Sequence, residues 1–339
     1  MAHGLWLTAI LGIACTDYDL QGGKTHEGRV DDTDEHDPDT SSQEDTNPAE
    51  TGDSAGEETP GEVPDGKVDV VLLIDIAYWY DCYHADLPVV TNDLVNALFG
   101  SGADVAVAIA TYDDYNVEGE WYNAFSGVPY LLVQQLTTDI PRLQSSTSGL
   151  ELEWGGDGPG TGFEAVVQAA TGLGYDQDCS GRFESNDDIR AFNATSGDAF
   201  GGRENGSASA SVPGTGPNPG VGFRQDSKRV VLVFAENVIR DRDLGHGMPP
   251  NACPGAASSL DAAQAIRAAD AKVLGVNVYE FQADDPQLQN QLLDFASATD
   301  SRIDADGDGA KDDPAVLSGS WDWPPTTTLV DAIWDLAGA

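Results

Sequence analysis

The sequence predicts an α/β fold: a doubly wound, mostly parallel central sheet flanked by helices. Three observations predict it. Four short runs rich in Val, Leu, Ile and Ala, at 68–75, 104–111, 229–235 and 272–279, read as strands buried on both faces. Segments with apolar residues three or four apart, at 86–99, 161–173, 258–270, 286–298 and 326–337, alternate with those runs as helices. Composition changes near residue 67 from an acidic, apolar-poor stretch to that of a globular chain, so 67–339 is expected to be one domain. Strand and helix alternating in this way pack as helices on both sides of a sheet.

Two segments precede that domain. Residues 5–14 form an apolar run that stops at Cys15 with small residues before it. It is too short to cross a bilayer as a helix and has the length of a signal-peptide core, so 1–14 reads as a lipoprotein signal peptide and Cys15 as the lipidated residue. Gly12 stands where such signals usually carry a larger apolar residue, and an ordinary secretory signal is the alternative. Both place the protein outside the cytoplasm. Thr16 after the cysteine resembles the pattern of bacterial lipoproteins sent to the outer membrane. Residues 16–65 then carry 17 Asp or Glu against only Lys24 and Arg29. Such a chain cannot bury enough apolar surface to offset its ordering entropy, so 15–66 is expected to be a disordered, self-repelling tether. The whole chain holds 58 acidic and 16 basic residues, a formal charge of −42, which argues against nucleic acid or anionic lipid surfaces as partners.

Within the domain, VDVVLLID opens the sheet and ends on Asp75, and DVAVAIAT at 104–111 follows the first helix. The stretch GGDGPGTGFEAVVQAATGLG at 155–174 supplies a glycine-rich loop and the next helix. Residues 176–228 are rich in Gly, Ser, Asn and Pro and read as a flexible insertion, since loops of that length are uncommon inside a compact domain. VGFRQDSKRVVLVFAEN at 221–237, AAQAIRAADAKVLGVNV and the closing LVDAIWDLAGA complete the alternation.

These segments, in this order, resemble a von Willebrand factor A domain, of the bacterial kind that is integrin-like, similar to the A-type domain of integrin β chains. The resemblance covers most of 67–339. It implies a metal-ion-dependent adhesion site at the carboxyl ends of the strands, where a divalent cation meets a partner's carboxylate. The family's first loop reads Asp-x-Ser-x-Ser; here it reads Asp75, Ile76, Ala77, Tyr78, Trp79, so the aspartate stays and both hydroxyl ligands are gone. Thr161 or Asp157 stands in the second loop, and Glu236 occupies the third, where the family usually has an aspartate. A site without the serines implies weak or absent magnesium binding. Asp75 then serves as a hydrogen-bond acceptor at its strand end, although Asp81, Asp86, Asp241 and Asp243 leave a rearranged cation site open.

Lipidation of Cys15 leaves Cys82, Cys179 and Cys253 in an oxidising compartment, one pair and one odd thiol. Cys82 and Cys253 follow strands and belong at the carboxyl edge, whereas Cys179 follows a helix that runs back to the opposite edge. The expected disulfide is therefore Cys82 to Cys253, a staple where the family's metal would otherwise organise the loops.

The strongest metal signal is DADGDGAKDDP at 304–314. Asp304, Asp306 and Asp308 alternate, Gly309 permits a sharp turn, and Asp312 falls where calcium loops often place a ligand. Position twelve is Ala315 and not the bidentate glutamate of an EF-hand, so the pattern instead resembles the short loops of dockerins and thrombospondin type-3 repeats. Structural calcium is the implied cofactor; an acidic turn without an ion is the alternative.

Tyr78, Trp79, Tyr80 and Tyr83 form an aromatic cluster near the first strand, either a binding hot spot or packing beneath loops. No nucleophile elbow, zinc-protease helix or phosphate-binding glycine loop accompanies them, so an enzyme has little support. The expected function is a lipid-anchored bacterial envelope protein, in the outer membrane, displaying an A-type domain that binds a protein or glycan. The alternative is a structural envelope component whose calcium serves folding alone.

Overall fold

A computed structural model describes residues 63–76, 81–115, 129–150, 159–177, 179–181, 188–189, 220–245, 256–278, 286–319 and 323–338, with side chains of the first helix described from Leu87 onward. The chain divides into Met1–Thr59 and Pro60–Ala339, and all described residues lie in the second unit. The signal, Cys15 and nearly all of the tether therefore fall outside the described residues.

A six-stranded sheet organises the domain. Its strands are β1 (Lys67–Asp75), β2 (Asp104–Tyr112), β3 (Leu131–Thr137), β4 (Ser227–Ala235), β5 (Ala271–Asn277) and, after a short hairpin of β6 (Arg302–Ile303) and β7 (Asp313–Pro314), β8 (Val316–Ser318). The order across the sheet is β3-β2-β1-β4-β5-β8, parallel throughout except that β3 runs antiparallel to β2. The expected α/β class is therefore present. Every residue of β1 after Lys67 is buried, and β2 is the same after Asp104, because helices cover both faces of these strands.

The helices are α1 (Asp81–Gly100), α2 (Ile140–Thr147), α3 (Gly162–Thr171), α4 (Ser259–Ala268), α5 (Gln287–Ala298) and α6 (Thr326–Gly338). They pack in two groups, α1 with α2 and α6, and α3 with α4 and α5. The chain winds outward from β1 to β2 and β3, then returns to β4 on the other side of β1. Right-handed crossovers in opposite directions put the two helix groups on opposite faces. Among the described residues, no helix is long and apolar enough to cross a membrane.

Two elements between 131 and 147 escaped the sequence reading. Strand β3 buries Gln134 and Gln135, so its polar composition hides it. Helix α2 has only eight residues, yet it carried a start signal: Asp139 caps it by accepting from the Arg142 N–H at 3.2 Å, and Pro141 follows in the first turn. The insertion expected over 176–228 is also narrower than that. Val221 and Phe223 are core residues, and Arg224 clamps the amino edge of the sheet, with Nε 2.6 Å from Asp69 Oδ1 and Nη1 2.6 Å from Asp104 Oδ1. Gly220 makes the entry possible. At φ +73° it passes so close to α3 that a Cβ would sit 2.2 Å from the Ala169 carbonyl oxygen.

Candidate functional site

The carboxyl edge of the sheet has its switch point between β1 and β4, the place where open α/β sheets bind ligands. Asp75 ends β1 there and is buried, as is Glu236 just beyond β4. Asp75 Oδ2 accepts from the Glu236 backbone N–H at 3.4 Å, so the two expected ligands meet through main chain. Thr161 stands beside them at the start of α3, also buried. Its hydroxyl reaches backbone carbonyls, Pro129 O at 2.8 Å and Asp113 O at 3.1 Å, and its N–H donates to Asp113 O at 2.8 Å. Gly160 lets these loops close: a Cβ there would lie 3.3 Å from Asp75 Oδ2 and 3.4 Å from the Asp113 carbonyl oxygen.

A guanidinium that sequence reasoning missed is built into this rim. Arg240 is 3% exposed and grips Asp114 with two bonds, Nε to Oδ1 at 3.0 Å and Nη2 to Oδ2 at 2.8 Å. Its backbone N–H donates to Gly160 O at 2.7 Å, next to the parallel bridge Gly160 to Ile239, and its charge lies 5.9 Å from the centre of the Tyr115 ring. One side chain therefore joins the loop after β2, the loop before α3 and the loop after β4. Asp241 adds to this, its two oxygens accepting from the Asp243 and Ser259 N–H groups at 2.9 and 3.1 Å. The paired acids Asp113 and Asp114 directly after a strand were the available signal.

Among the described residues, the set does not fit the divalent cation that the resemblance implies; Asp157 and the side chains of Asp81 and Asp86 lie outside them. Ala77 and Trp79 replace the hydroxyl ligands, and Thr161 donates its proton to main chain. Among the described residues, the rim carboxylates do not assemble into a group of three within metal-binding reach. Residues 77–80, with Tyr78, Trp79 and Tyr80, lie outside the described residues, as does the side chain of Tyr83.

The cysteine expectation is corrected in part. Cys179 is disulfide-bonded and so is not the odd thiol; Cys253 and the side chain of Cys82 lie outside the described residues. The physical reason is a chain reversal. After Gly172, left-handed at φ 62°, the chain doubles back along α3, with the Gly174 N–H donating to Gln168 Oε1 at 2.8 Å. Tyr175 thereby packs on Tyr115 at the end of β2, ring centres 5.6 Å apart, which returns the segment leading to Cys179 toward the rim.

The second acidic site lies at the opposite, amino edge. Lys272, near the start of β5, donates to the Asp300 carbonyl oxygen at 2.6 Å, and the β6–β7 hairpin begins two residues later. Asp304, Asp306 and Asp308 each bring a carboxylate oxygen to one place, all within 4.8 Å of one another. The loop curls to allow this. Gly309 N–H donates to Asp304 Oδ2 at 2.9 Å, Asp308 N–H to Asp306 Oδ1 at 3.1 Å, and Ala310 N–H to Asp308 Oδ1 at 2.8 Å. Gly307 and Gly309 take positive φ of 77° and 88°, which a side chain would strain. Among the described residues, Asp304 Oδ1 is buried without a hydrogen-bond partner. Lys311 ties the loop to the end of α6, 3.3 Å from Asp335 Oδ1.

Asp312, expected as a fourth ligand, is not among the converging carboxylates. It precedes β7 directly, its carbonyl oxygen is held by Arg302 Nη1 at 2.9 Å, and its side chain is exposed. Asp313 Oδ2 instead accepts from the Ala305 N–H at 3.1 Å, bracing the loop. Trp323 covers the sheet, its ring 5.2 Å from that of Phe234 in β4.

These two edges belong to a doubly wound α/β domain with buried acids at its carboxyl edge and an acidic hairpin at the other. No family model matches the chain, and no curated protein is similar to it. Among solved structures, one crystal form of proximal thread matrix protein 1 from the mussel byssus is similar at 11% identity and a TM-score of 0.42, covering 82% of this chain and 49% of that one. Another structure of the same mussel protein gives 11% identity and a TM-score of 0.38, over 80% of this chain and 47% of that one. The chain thus spans about half the length of these structures.

Proposed function

We propose that this is a lipid-anchored bacterial envelope protein, placed in the outer membrane through Cys15, that displays a von Willebrand A-like domain for protein or glycan binding without catalysis. The sheet order β3-β2-β1-β4-β5-β8, with one antiparallel edge strand, supports the A-like assignment, and the apolar run before Cys15 supports the anchor. In this reading the rim binds by shape and aromatic contact: Arg240 occupies Asp114, and the Glu236 backbone N–H reaches Asp75.

The observation that carries the metal assignment is the convergence of Asp304, Asp306 and Asp308. Three like charges that close repel by about 1 kcal/mol per pair at the dielectric of water and by several times that in a lower one. A hard cation with oxygen ligands converts that repulsion into binding, and calcium suits oxygens supplied by a flexible loop. Calcium would be held by these three carboxylates, with Asp304 Oδ1 a ready ligand, and would fix the hairpin against α6.

Thermal unfolding of the full chain tests the reading. Calcium at about 100 times its dissociation constant should stabilise the domain by roughly 2.7 kcal/mol. Asp306→Asn should abolish that shift and Glu236→Gln should leave it intact. The reverse pattern would return the cation to the rim and overturn the assignment.

A further inference from the structure

Helices α3 and α4 border an open groove of about 480 Å³ that neither edge site accounts for. That volume falls among small-molecule sites, which combine apolar walls with a few fixed polar groups. Val167, Leu173 and Ala268 supply apolar wall here, and the polar lining includes Glu164, Gln168, Tyr175 and the paired Arg242 and Asp261.

Glu164 is 3% exposed. Its Oε1 accepts from Gln168 Nε2 at 2.7 Å, and its Oε2 accepts from the Ala257 N–H at 3.0 Å and the Tyr115 hydroxyl at 3.2 Å. A carboxylate accepts about four hydrogen bonds, so one position is open. All three donors are neutral. The nearby guanidiniums are committed elsewhere: Arg240 to Asp114, and Arg242 to Asp261 at 2.8 Å and Asp243 at 3.4 Å. Among the described residues Glu164 is therefore a buried acid with hydrogen bonds but no counter-charge, and burial pushes its carboxyl up against the lowering effect of those bonds. Tyr175, which also lines the groove, has a buried hydroxyl with no hydrogen-bond partner among the described residues.

We propose that this groove binds a small organic cation, a primary alkylammonium whose chain lies along Val167, Leu173 and Ala268 while its ammonium pairs with Glu164 and donates to the Tyr175 hydroxyl. The ammonium supplies the charge that Glu164 lacks and satisfies both unused acceptors at once. Steering favours the same ligand, since a chain of formal charge −42 concentrates cations at its surface.

Isothermal titration of the full chain with pentylamine tests the site, in saturating calcium so that the hairpin does not compete. Saturable binding at millimolar pentylamine or below is expected, with 1-pentanol, which lacks the charge, binding at least about tenfold more weakly. Glu164→Gln should weaken pentylamine binding by about tenfold or more, and Tyr175→Phe by about threefold. Ala268 is exposed, so Ala268→Trp should fill the groove and abolish binding with the fold intact; it decides the matter if Glu164→Gln does not fold. Absence of saturable binding, or pentylamine binding unchanged in Ala268→Trp, overturns the proposal.

Discussion

The two edges of the sheet hold the same residue type in opposite conditions. At the carboxyl edge, Asp75, Asp113, Asp114, Glu236 and Asp241 are buried, and backbone N–H groups and the Arg240 guanidinium answer the charge of those whose partners are described. At the amino edge, Asp304, Asp306 and Asp308 converge on one point, use one oxygen each on their own loop, and leave the remaining charge facing the others. The difference teaches that an acidic cluster is not by itself a cation site. What matters is whether the protein has already supplied the positive partner.

Removing that partner should produce the largest effect. Arg240→Ala strands Asp114 without its counter-ion in a buried site and should cost about 3–5 kcal/mol in urea unfolding. If added magnesium restored the loss, the rim would be a cation site after all, and the contrast between the edges would collapse. The disulfide comes next. Peptide mapping under non-reducing conditions should link Cys179 to a second cysteine, and Cys179→Ala should lower stability by about 2–4 kcal/mol. A free Cys179 thiol would remove covalent support from that side of the molecule.

At the hairpin the expected effect is smaller and changes sign with the solvent. In chelator, Asp306→Asn relieves repulsion and should stabilise the chain by on the order of 0.5 kcal/mol, while in calcium the same substitution should destabilise it. A destabilising effect in both buffers would mean that Asp306 acts only through its bond to the Asp308 N–H.

Glu164 gives the smallest effect, seen as a pH trend. Burial raises its carboxyl, so the folded state holds the proton more tightly than the unfolded chain does. Its stabilisation is fully present below the ordinary glutamate range and is lost as pH rises through the folded value. Glu164→Gln lacks that loss, so its melting temperature should gain on the parent's as pH rises from acid to neutral. A constant gap would show that Glu164 does not change protonation on unfolding.

Much of the fold was legible because both-face burial leaves an apolar run that needs no tertiary context, as in VDVVLLID. Four parallel strands were readable on that ground, and five helices from apolar residues three or four apart. The elements that escaped were short or polar: β3 with its buried glutamines, and β8, three residues long, which exists because β5 pairs with it from Gly275 to Asn277. The convergence of the hairpin carboxylates was legible because all three lie within five residues of sequence. Asp312 lies apart from those three in space, which spacing cannot foresee, because Arg302 draws its carbonyl toward the strand pair.

Sequence alone determined the α/β class, the acidity of the chain and the alternate spacing of Asp304, Asp306 and Asp308, since each rests on composition or on neighbours within a few residues. Tertiary structure decided what lies between distant segments. Arg240 finds Asp114 across 126 positions, and the reversal after Gly172 carries the chain back to Tyr115 and leaves Cys179 in a disulfide. Glu164 becomes a buried acid only when α3 packs on α4 and the Ala257 N–H reaches it. Charge compensation over such separations depends on where the backbone brings each group, and no local pattern encodes that.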